Sequence, residues 1–445
     1  MDPKLVKILA RPLPRYTSYP TAPHFNANVG TAEYDRWLSA LSPDARLSLY
    51  VHIPFCDTLC WFCACTTKIT RRYAPVGTYL SHVCAEIDAV AERIPNGVSV
   101  SHIHWGGGSP DILSTRDMAR LSDTLRSRFI VEKDAEFAVE IDPREMDEAK
   151  IAALAQAGLT RISLGVQDFD PKVQTAINRL QSFEQTRAVV EEFRNAGVHS
   201  INIDLVYGLP HQTTESGRQT IEAVIALGPD RVATFGYAHL PNRIRHQRLI
   251  DNESVPGIHD RLALSQMMSA HLRDAGYVQL GVDHFCKPGD SMASTPLRRN
   301  FQGYTTDTAD ALLGLGASAI SRLPQGYVQN AVPIADYQRR IGDGGVATAR
   351  GLAFTPEDMA RAFAIETLMC ELRFPASELC REFGELGVAI AREGERLAAH
   401  ASDGLVEQVP DGFVVTEKGR PFLRALAAEF DAYLDTSKTV HSTGI

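Results

Sequence analysis

The chain of 445 residues contains no run of about 18 uncharged apolar residues, so no membrane-spanning helix is expected. It has no excess of positive charge: 45 Lys and Arg stand against 54 Asp and Glu, a formal net of −9. A general nucleic-acid binder needs a basic face to neutralise phosphates, so none is expected here. Cysteine is scarce at 8 residues, too few for a disulfide scaffold. The opening Met1-Asp2-Pro3-Lys4 leads into no apolar stretch, so no secretory signal is read and the cytoplasm is the expected compartment. Hydrophobic residues at 44% and charged ones at 22% exclude disordered, collagen-like and coiled-coil chains. The length suits two or three domains unless a large α/β barrel takes up much of it.

What cysteine there is lies unevenly. Cys84, Cys286, Cys370 and Cys380 are scattered singly and read as small core residues. Cys56, Cys60, Cys63 and Cys65 crowd one short stretch, which points to metal or redox chemistry.

From Leu47 onward, short β-branched or apolar runs alternate with stretches of helical period. The strands expected are Leu47–His52, Ser99–Trp105, Glu136–Ile141, Arg161–Val166, Ser200–Val206, Arg231–Tyr237 and Tyr277–Val282. Helices expected between them are Tyr79–Ile94, Arg116–Phe129, Glu148–Ala157, Phe183–Ala196, Ser216–Leu227 and Asp260–Ala275. Ser114 or Thr115 suits an N-cap, and Gly158 and Gly197 suit C-caps. Such βα units build a parallel sheet. Six or seven of them fall short of a closed eight-fold barrel, so the fold expected is an α/β, incomplete (β/α)6-type parallel barrel.

Residues 1–45 read as an N-terminal arm, in which Pro12, Pro14 and Pro20 oppose a helix. It either packs along the body or covers a site. The barrel is assigned to 46–290, and 291–354 reads as an irregular, Gly-punctuated segment completing the site. Residues 355–435 read as a mainly helical, winged-helix-like domain, with a capping box from Thr355 and a hairpin turn at Asp411-Gly412. A winged helix often binds DNA, but 8 Arg and Lys against 16 Asp and Glu from Thr355 to Asp435 argue against that role. Residues 436–445 are expected to be a disordered tail. No surface helix is heptad-like or strongly apolar, so a monomer is expected.

The segment Tyr50 to Cys65 follows the first strand directly, at the strand end where α/β folds place their sites. Its spacing is C-x3-C-x2-C. A structural zinc site needs four ligands, normally two paired motifs, and no second pair occurs. Soft thiolates on one loop suit an iron–sulfur cluster. Three ligands on a four-iron cluster leave one iron open to a small molecule. A zinc loop, or cysteines that merely pack, are the alternatives.

This loop, with the aromatic Phe62 before Cys63, resembles the signature of the radical S-adenosylmethionine (SAM) superfamily. The resemblance implies a 4Fe-4S cluster on Cys56, Cys60 and Cys63, and SAM cleaved to a 5′-deoxyadenosyl radical. Further stretches resemble one family within it, the oxygen-independent coproporphyrinogen III oxidases, across nearly the whole chain. They are Arg15–Thr21, His104–Pro110, Glu140–Glu145, Gly165–Phe169, Asn178-Arg179, Asn202–Pro210, Tyr237–Pro241, Asp283–Phe285 and Arg299–Thr305. The family departs from this chain at Ser109 and Asp111, where threonines are expected, and at Cys286, where a small residue such as alanine is expected.

Read alone, Gly106–Gly108 is a tight turn and Glu140 a strand-end charge suited to ribose hydroxyls. The resemblance implies that Gly107, Gly108 and Ser109 hold the methionine part of SAM. It places Gln167, Arg179, Asp204 and Ala238 on a second SAM, and Tyr50, Phe62 and Ile320 on the walls of the SAM sites. Arg179 also suits a carboxylate by the shape of its guanidinium. Tyr50, Cys65, Phe301 and Gln302 are expected at the reacting centre, with Cys65 a surplus thiol rather than a fourth ligand. The implied reaction converts two propionates of coproporphyrinogen III to the vinyls of protoporphyrinogen IX, in haem and porphyrin biosynthesis. Its electrons come from a low-potential donor such as flavodoxin or ferredoxin. Four substrate propionates call for cations, for which Arg15, Arg243, Arg245, Arg248, Arg298 and Arg299 are candidates.

Two rivals share the superfamily. A haem chaperone usually lacks the Cys65 thiol and the Arg-Tyr-Thr-Ser-Tyr-Pro arm, and carries His-Asn-x-x-Tyr-Trp where this chain has Arg299–Tyr304. A methyltransferase or cyclopropanase would use the same paired SAM on another substrate.

Overall fold

The computed structural model describes residues 2–434 and 441–445. Six strands arise where the sequence places them: β1 Arg46–Ile53, β2 Ser99–Gly107, β3 Ile130–Ile141, β4 Arg161–Gln167, β5 Ser200–Tyr207 and β6 Arg231–Gly236. Each is followed by a covering helix: Tyr73–Ala91, Thr115–Arg128, Glu148–Gln156, Phe183–Asn195, Thr214–Leu227 and Ile258–Asp274. The punctuation holds as well. Ser114 caps its helix by accepting from Asp117 N at 3.2 Å, and Gly158 and Gly197 leave their helices at positive φ, 89° and 88°.

The seventh parallel strand differs from expectation. Tyr277–Val282 contains only β7, Val278–Leu280, a short edge strand antiparallel to β8, His284–Cys286. The seventh parallel member is β9, Ala311–Leu315, which pairs with β1. Beyond it run β10 Ile320–Leu323, β11 Gly326–Asn330 and β12 Thr348–Ala353, all antiparallel. Much of 291–354 is therefore sheet rather than irregular chain. Gly314, Gly326 and Gly351 sit inside strands, where a Cβ on Gly314 would stand 2.5 Å from Ile320 O, while Gly342, Gly344 and Gly345 lie at a helix end and in the loop after it. The sheet order is β12-β11-β10-β9-β1-β2-β3-β4-β5-β6-β8-β7, an open barrel whose middle seven strands are parallel. Alternate residues of β1, Leu47, Leu49, Val51 and Ile53, are buried, and Trp105 meets Phe137 edge-on with ring centres 4.8 Å apart. One apolar core runs from the sheet into the C-terminal segment.

That segment has helices Pro356–Glu371 and Ala376–Glu393 and a three-stranded antiparallel sheet of 373–375, 412–415 and 406–409. Thr355 and Asp358 form the expected capping box, and Val409 pairs with Gly412 across the expected turn. The helix expected from about Arg420 to Tyr433 is shorter: Leu423–Ala427 is α-helical and the turns on either side are 3₁₀.

The arm is partly helical: helices Pro3–Leu9 and Thr31–Ser39 lie on either side of its proline-bearing stretch, which holds the 3₁₀ turn Ala22–His24. Arg424 donates to the carbonyls of Leu13 and Pro14, and Arg299 to those of Arg15 and Tyr16. The disordered tail requires correction for 441–445. There Thr443 bridges to Pro12, Ile445 is buried, and Arg261 donates to Ile445 O at 2.7 Å. Residues 436–440 lie outside the described residues.

Candidate active site

Parallel strands end on one side of the sheet, and register aligns what they carry. Ile53 pairs with Gly107, Glu140 with Ser163, Gly165 with Asp204 and Asp204 with Ala233. Above them lies a cavity of about 440 Å³ lined by Cys56, Cys60, Cys63, Cys65, Phe62, Gly107, Gly108, Ser109, Glu140, Gln167, Arg179, Asp204, Ala238, Phe301 and Gln302. A neighbouring cavity of about 190 Å³ shares Glu140, Phe301 and Gln302 and adds Tyr50 and Ile320. Every residue singled out in the sequence for the cluster, SAM or reacting centre thus reaches one continuous site.

The cysteine loop is held from outside. Asn178 Nδ2 donates to Leu59 O at 2.8 Å, and Trp61 N to Ile177 O at 2.9 Å. Gln247 Nε2 donates to both Phe62 O and Ala238 O, and His246 Nε2 lies 2.7 Å from Cys63 O. A two-residue parallel ladder, 55–56 with 68–69, closes the loop's base. Asn178 and Gln167 both adopt positive φ, 54° and 71°, a strained backbone for side chains other than glycine.

Inside, Arg179 and Arg144 converge on Asp142 and Cys60. Arg179 Nη1 lies 2.9 Å from Asp142 Oδ2 and 3.5 Å from Cys60 Sγ. Arg144 grips the same carboxylate with two nitrogens, at 2.9 and 2.6 Å, and reaches Cys60 Sγ at 3.7 Å. Burial pushes Asp142 up, but the two guanidiniums hold it below the usual carboxylate range. Arg179 Nε is buried with no partner among the described residues. Arg144 and Asp142 were not assigned roles from sequence, although both lie in the Glu140–Glu145 stretch; the signal was a paired acid and base two residues apart.

Glu140 accepts from Gly107 N at 2.9 Å and faces His104 Nε2 at 3.2 Å. Burial raises its carboxyl, yet His104 and the Gly107 N–H bring it below the ordinary glutamate value, so it stays anionic. His52, also missed, holds the Tyr50 hydroxyl at 3.0 Å through Nδ1. Asp204 accepts from Ser163 at 2.7 Å and Asn202 at 2.8 Å. Asp111 does not line the main cavity. It is 1% exposed, accepts from Ser109 Oγ at 2.5 Å and Asp142 N at 3.1 Å, and burial first, then Asp142, pushes it up to about 6.

The cationic candidates separate. Arg15 lines the main cavity and donates to Gly236 O at 3.0 Å. Arg298 lies 3.5 Å from Glu366, and Arg299 stacks 4.3 Å over the Tyr304 ring. Arg243, Arg245 and Arg248 line neither cavity of the site.

The loop suits a cluster. Three thiols line one wall, and Cys65 N donates to Cys63 Sγ at 3.4 Å while Cys65 is exposed. The Cys65 thiol first, with its N–H, draws Cys63 down to about 6 against burial, which favours thiolate. Among the described residues, no three His, Cys, Asp or Glu side chains converge on a single metal ion. Opposite the loop, a Cβ on Gly108 would stand 2.5 Å from Phe55 O, so only backbone fits that turn.

The radical SAM superfamily model matches residues 50–224, the stretch that carries the loop and β1 to β5. The chain is therefore of the radical SAM class. It is 47% identical to the oxygen-independent coproporphyrinogen III oxidase of Bradyrhizobium diazoefficiens over 97% of both chains. It is 45% identical to that of Paracoccus denitrificans, over 97% of this chain and 96% of that one. The solved coproporphyrinogen III oxidase of Escherichia coli, described as a radical SAM enzyme, superposes with a TM-score of 0.91. It is 39% identical and covers 97% of this chain and 99% of its own. The chain belongs to the oxygen-independent coproporphyrinogen III oxidases.

Proposed function

We propose that the protein removes carbon dioxide from two propionate side chains of coproporphyrinogen III and leaves two vinyl groups. The observation that carries this is the single continuous site in which the three thiols, Glu140, the Arg179–Asp142 pair and Phe301-Gln302 meet. When bound, a 4Fe-4S cluster on Cys56, Cys60 and Cys63 together with SAM would supply one-electron radical chemistry at the propionate β-carbon, the hydrogen passing to the SAM-derived fragment and the electron released with carbon dioxide passing to an external one-electron acceptor.

The chain's residues bind, orient and exclude water. Cys56, Cys60 and Cys63 would hold the cluster, with the guanidiniums of Arg179 and Arg144 at 3.5 and 3.7 Å from Cys60 Sγ. The backbone of Gly107 and Gly108, with no room for a side chain at Gly108, would hold the methionine part of SAM. Ser109 gives its proton to Asp111 and so presents an acceptor oxygen. Glu140, kept anionic, would accept from ribose hydroxyls, and Phe62, within the loop, packs on the apolar cluster of Val173, Ile177 and Tyr237. Gln167, Arg179, Asp204 and Ala238 line the space for a second SAM, with Tyr50 and Ile320 on its far wall. Tyr50, Phe301, Gln302 and Cys65 face the reacting propionate, and Arg15 faces its carboxylate relatives. His52 orients the Tyr50 hydroxyl. The electron donor is a low-potential carrier such as flavodoxin or ferredoxin, and the protein works as a cytoplasmic monomer. No described helix is long and apolar enough to cross a membrane.

The test is stoichiometry. Reconstituted protein with SAM, reductant and coproporphyrinogen III is expected to release one 5′-deoxyadenosine per carbon dioxide. Deoxyadenosine without carbon dioxide would overturn the substrate.

A further inference from the structure

Next to the active site, and absent from the reaction described above, lies an outer cavity of about 420 Å³ between the arm, the β10–β11 edge and the helix Pro356–Glu371. A smaller cavity of about 160 Å³ joins the two. It shares Arg298, Arg299 and Arg322 with the outer cavity, and Asn300, Phe301 and Thr305 with the main one. Phe301 therefore stands at the passage, its ring edge-on to Tyr327 at 5.7 Å.

The outer cavity has the chemistry to hold an amphipathic anion of several linked rings. Its walls carry the rings of Tyr19, Phe354, Phe363 and Phe383. Arg322 forms no ion pair with a carboxylate among the described residues and bonds the Tyr327 side chain, and Arg299, whose other nitrogens donate to Tyr16 O and Arg15 O, keeps Nη1 buried without a partner. The acidic groups nearby are committed. Glu366 faces Arg298 at 3.5 Å and accepts from Arg299 N, Asp310 accepts from Arg46 N, and Asp358 caps its helix. Aromatic walls, the unpartnered Nη1 of Arg299 and the exposed guanidinium of Arg322 give a macrocycle bearing carboxylates both apolar and cationic contacts.

We propose that this outer cavity holds the half-reacted tetrapyrrole, with one vinyl and three propionates, between the two decarboxylations. This rests on the reading that the chain decarboxylates two propionates of one substrate. The reacting point is fixed by the cysteine loop, so the macrocycle must turn to present its second propionate. Withdrawal past Phe301 gives it room to turn without entering bulk water.

Two variants test this, and neither residue lines the active site: Ala362→Trp fills the cavity, and Arg322→Glu inverts its charge. Each is checked for a native circular dichroism spectrum. Cluster-loaded protein, with SAM and reductant withheld so that no turnover occurs, is titrated anaerobically with coproporphyrin III and followed by porphyrin absorbance. Wild type is expected to bind two equivalents, and each variant to lose one or weaken it about tenfold. In turnover, the variants are expected to release about ten times more one-vinyl intermediate relative to product, because its escape is no longer slowed, while the first decarboxylation stays within about twofold. Two equivalents bound equally well by wild type and both variants would overturn the site. An unchanged intermediate-to-product ratio would overturn its role between the steps. Wild type that forms neither tetrapyrrole would instead refute the proposed reaction, leaving the binding result to stand on its own.

Discussion

Arg179 Nη1 sits between an acid and a thiol, 2.9 Å from Asp142 Oδ2 and 3.5 Å from Cys60 Sγ. Arg179 is 6% exposed, and Asp142 is nearly as buried. Arg179→Ala leaves that carboxylate to Arg144 alone. Removing one partner of a buried pair costs about 3 kcal/mol, at the low end of the range because Arg144 remains. The melting temperature is expected to fall by several degrees, and reconstituted iron content to fall with it. Arg179→Lys, a point charge without the fork, is expected to recover stability before iron content.

Glu86 predicts a pH dependence of stability. It is 1% exposed and accepts from Tyr337 at 2.7 Å, Gly316 N at 2.7 Å and Asn330 at 2.6 Å. Burial outweighs these donors and pushes its carboxyl up to about 7 from 4.5. The folded state therefore holds a proton more tightly than the unfolded one. Its contribution is present in full below pH 4.5, falls as pH rises to 7 and is flat above. The loss is on the order of 3 kcal/mol. Urea unfolding from pH 5 to 8 is expected to show this slope, and Glu86→Gln to remove it.

Two glycines separate space from strain. A Cβ at Gly108 would stand 2.5 Å from Phe55 O and 2.9 Å from Ile53 O, so Gly108→Ala must shift the turn. SAM binding by calorimetry is expected to weaken at least tenfold, about 1.4 kcal/mol. Gly197→Ala meets nothing within 4 Å but keeps φ at 88°. It is expected to cost about 1 kcal/mol of stability with SAM affinity intact.

Cys65 bears on the ligand count. Its exposed position beside Cys63 and absence from the C-x3-C-x2-C spacing make Cys65→Ser a protein that still assembles its cluster while turning over more slowly. Iron and sulfide content of the reconstituted protein decide this. Loss of the cluster would make Cys65 a ligand.

The βα alternation made β1 to β6 and their helices legible, because burial on both faces leaves continuous β-branched runs. β9 to β12 were not legible. β9, though parallel and buried, is only five residues long and broken by Gly314, and β10 to β12 are short antiparallel strands, two of them carrying Gly326 and Gly351, without the hydrophobic run that marks a buried strand. The site's membership was legible from the motifs, but its wiring was not. Nothing in the sequence says that Arg299 would spend its guanidinium on the carbonyls of Arg15 and Tyr16. Nor does it say that Asp111 would turn inward to Ser109. Both depend on segments far apart in the chain, or on burial decided only once the sheet closes over them.

The central claim is tested most directly by anaerobic turnover of the reconstituted protein with SAM, a low-potential reductant and coproporphyrinogen III, porphyrins being separated by chromatography after oxidation. Protoporphyrin is expected from wild type and none from Cys56→Ser. Tight haem binding with no decarboxylation, or equal product from both proteins, would contradict the account.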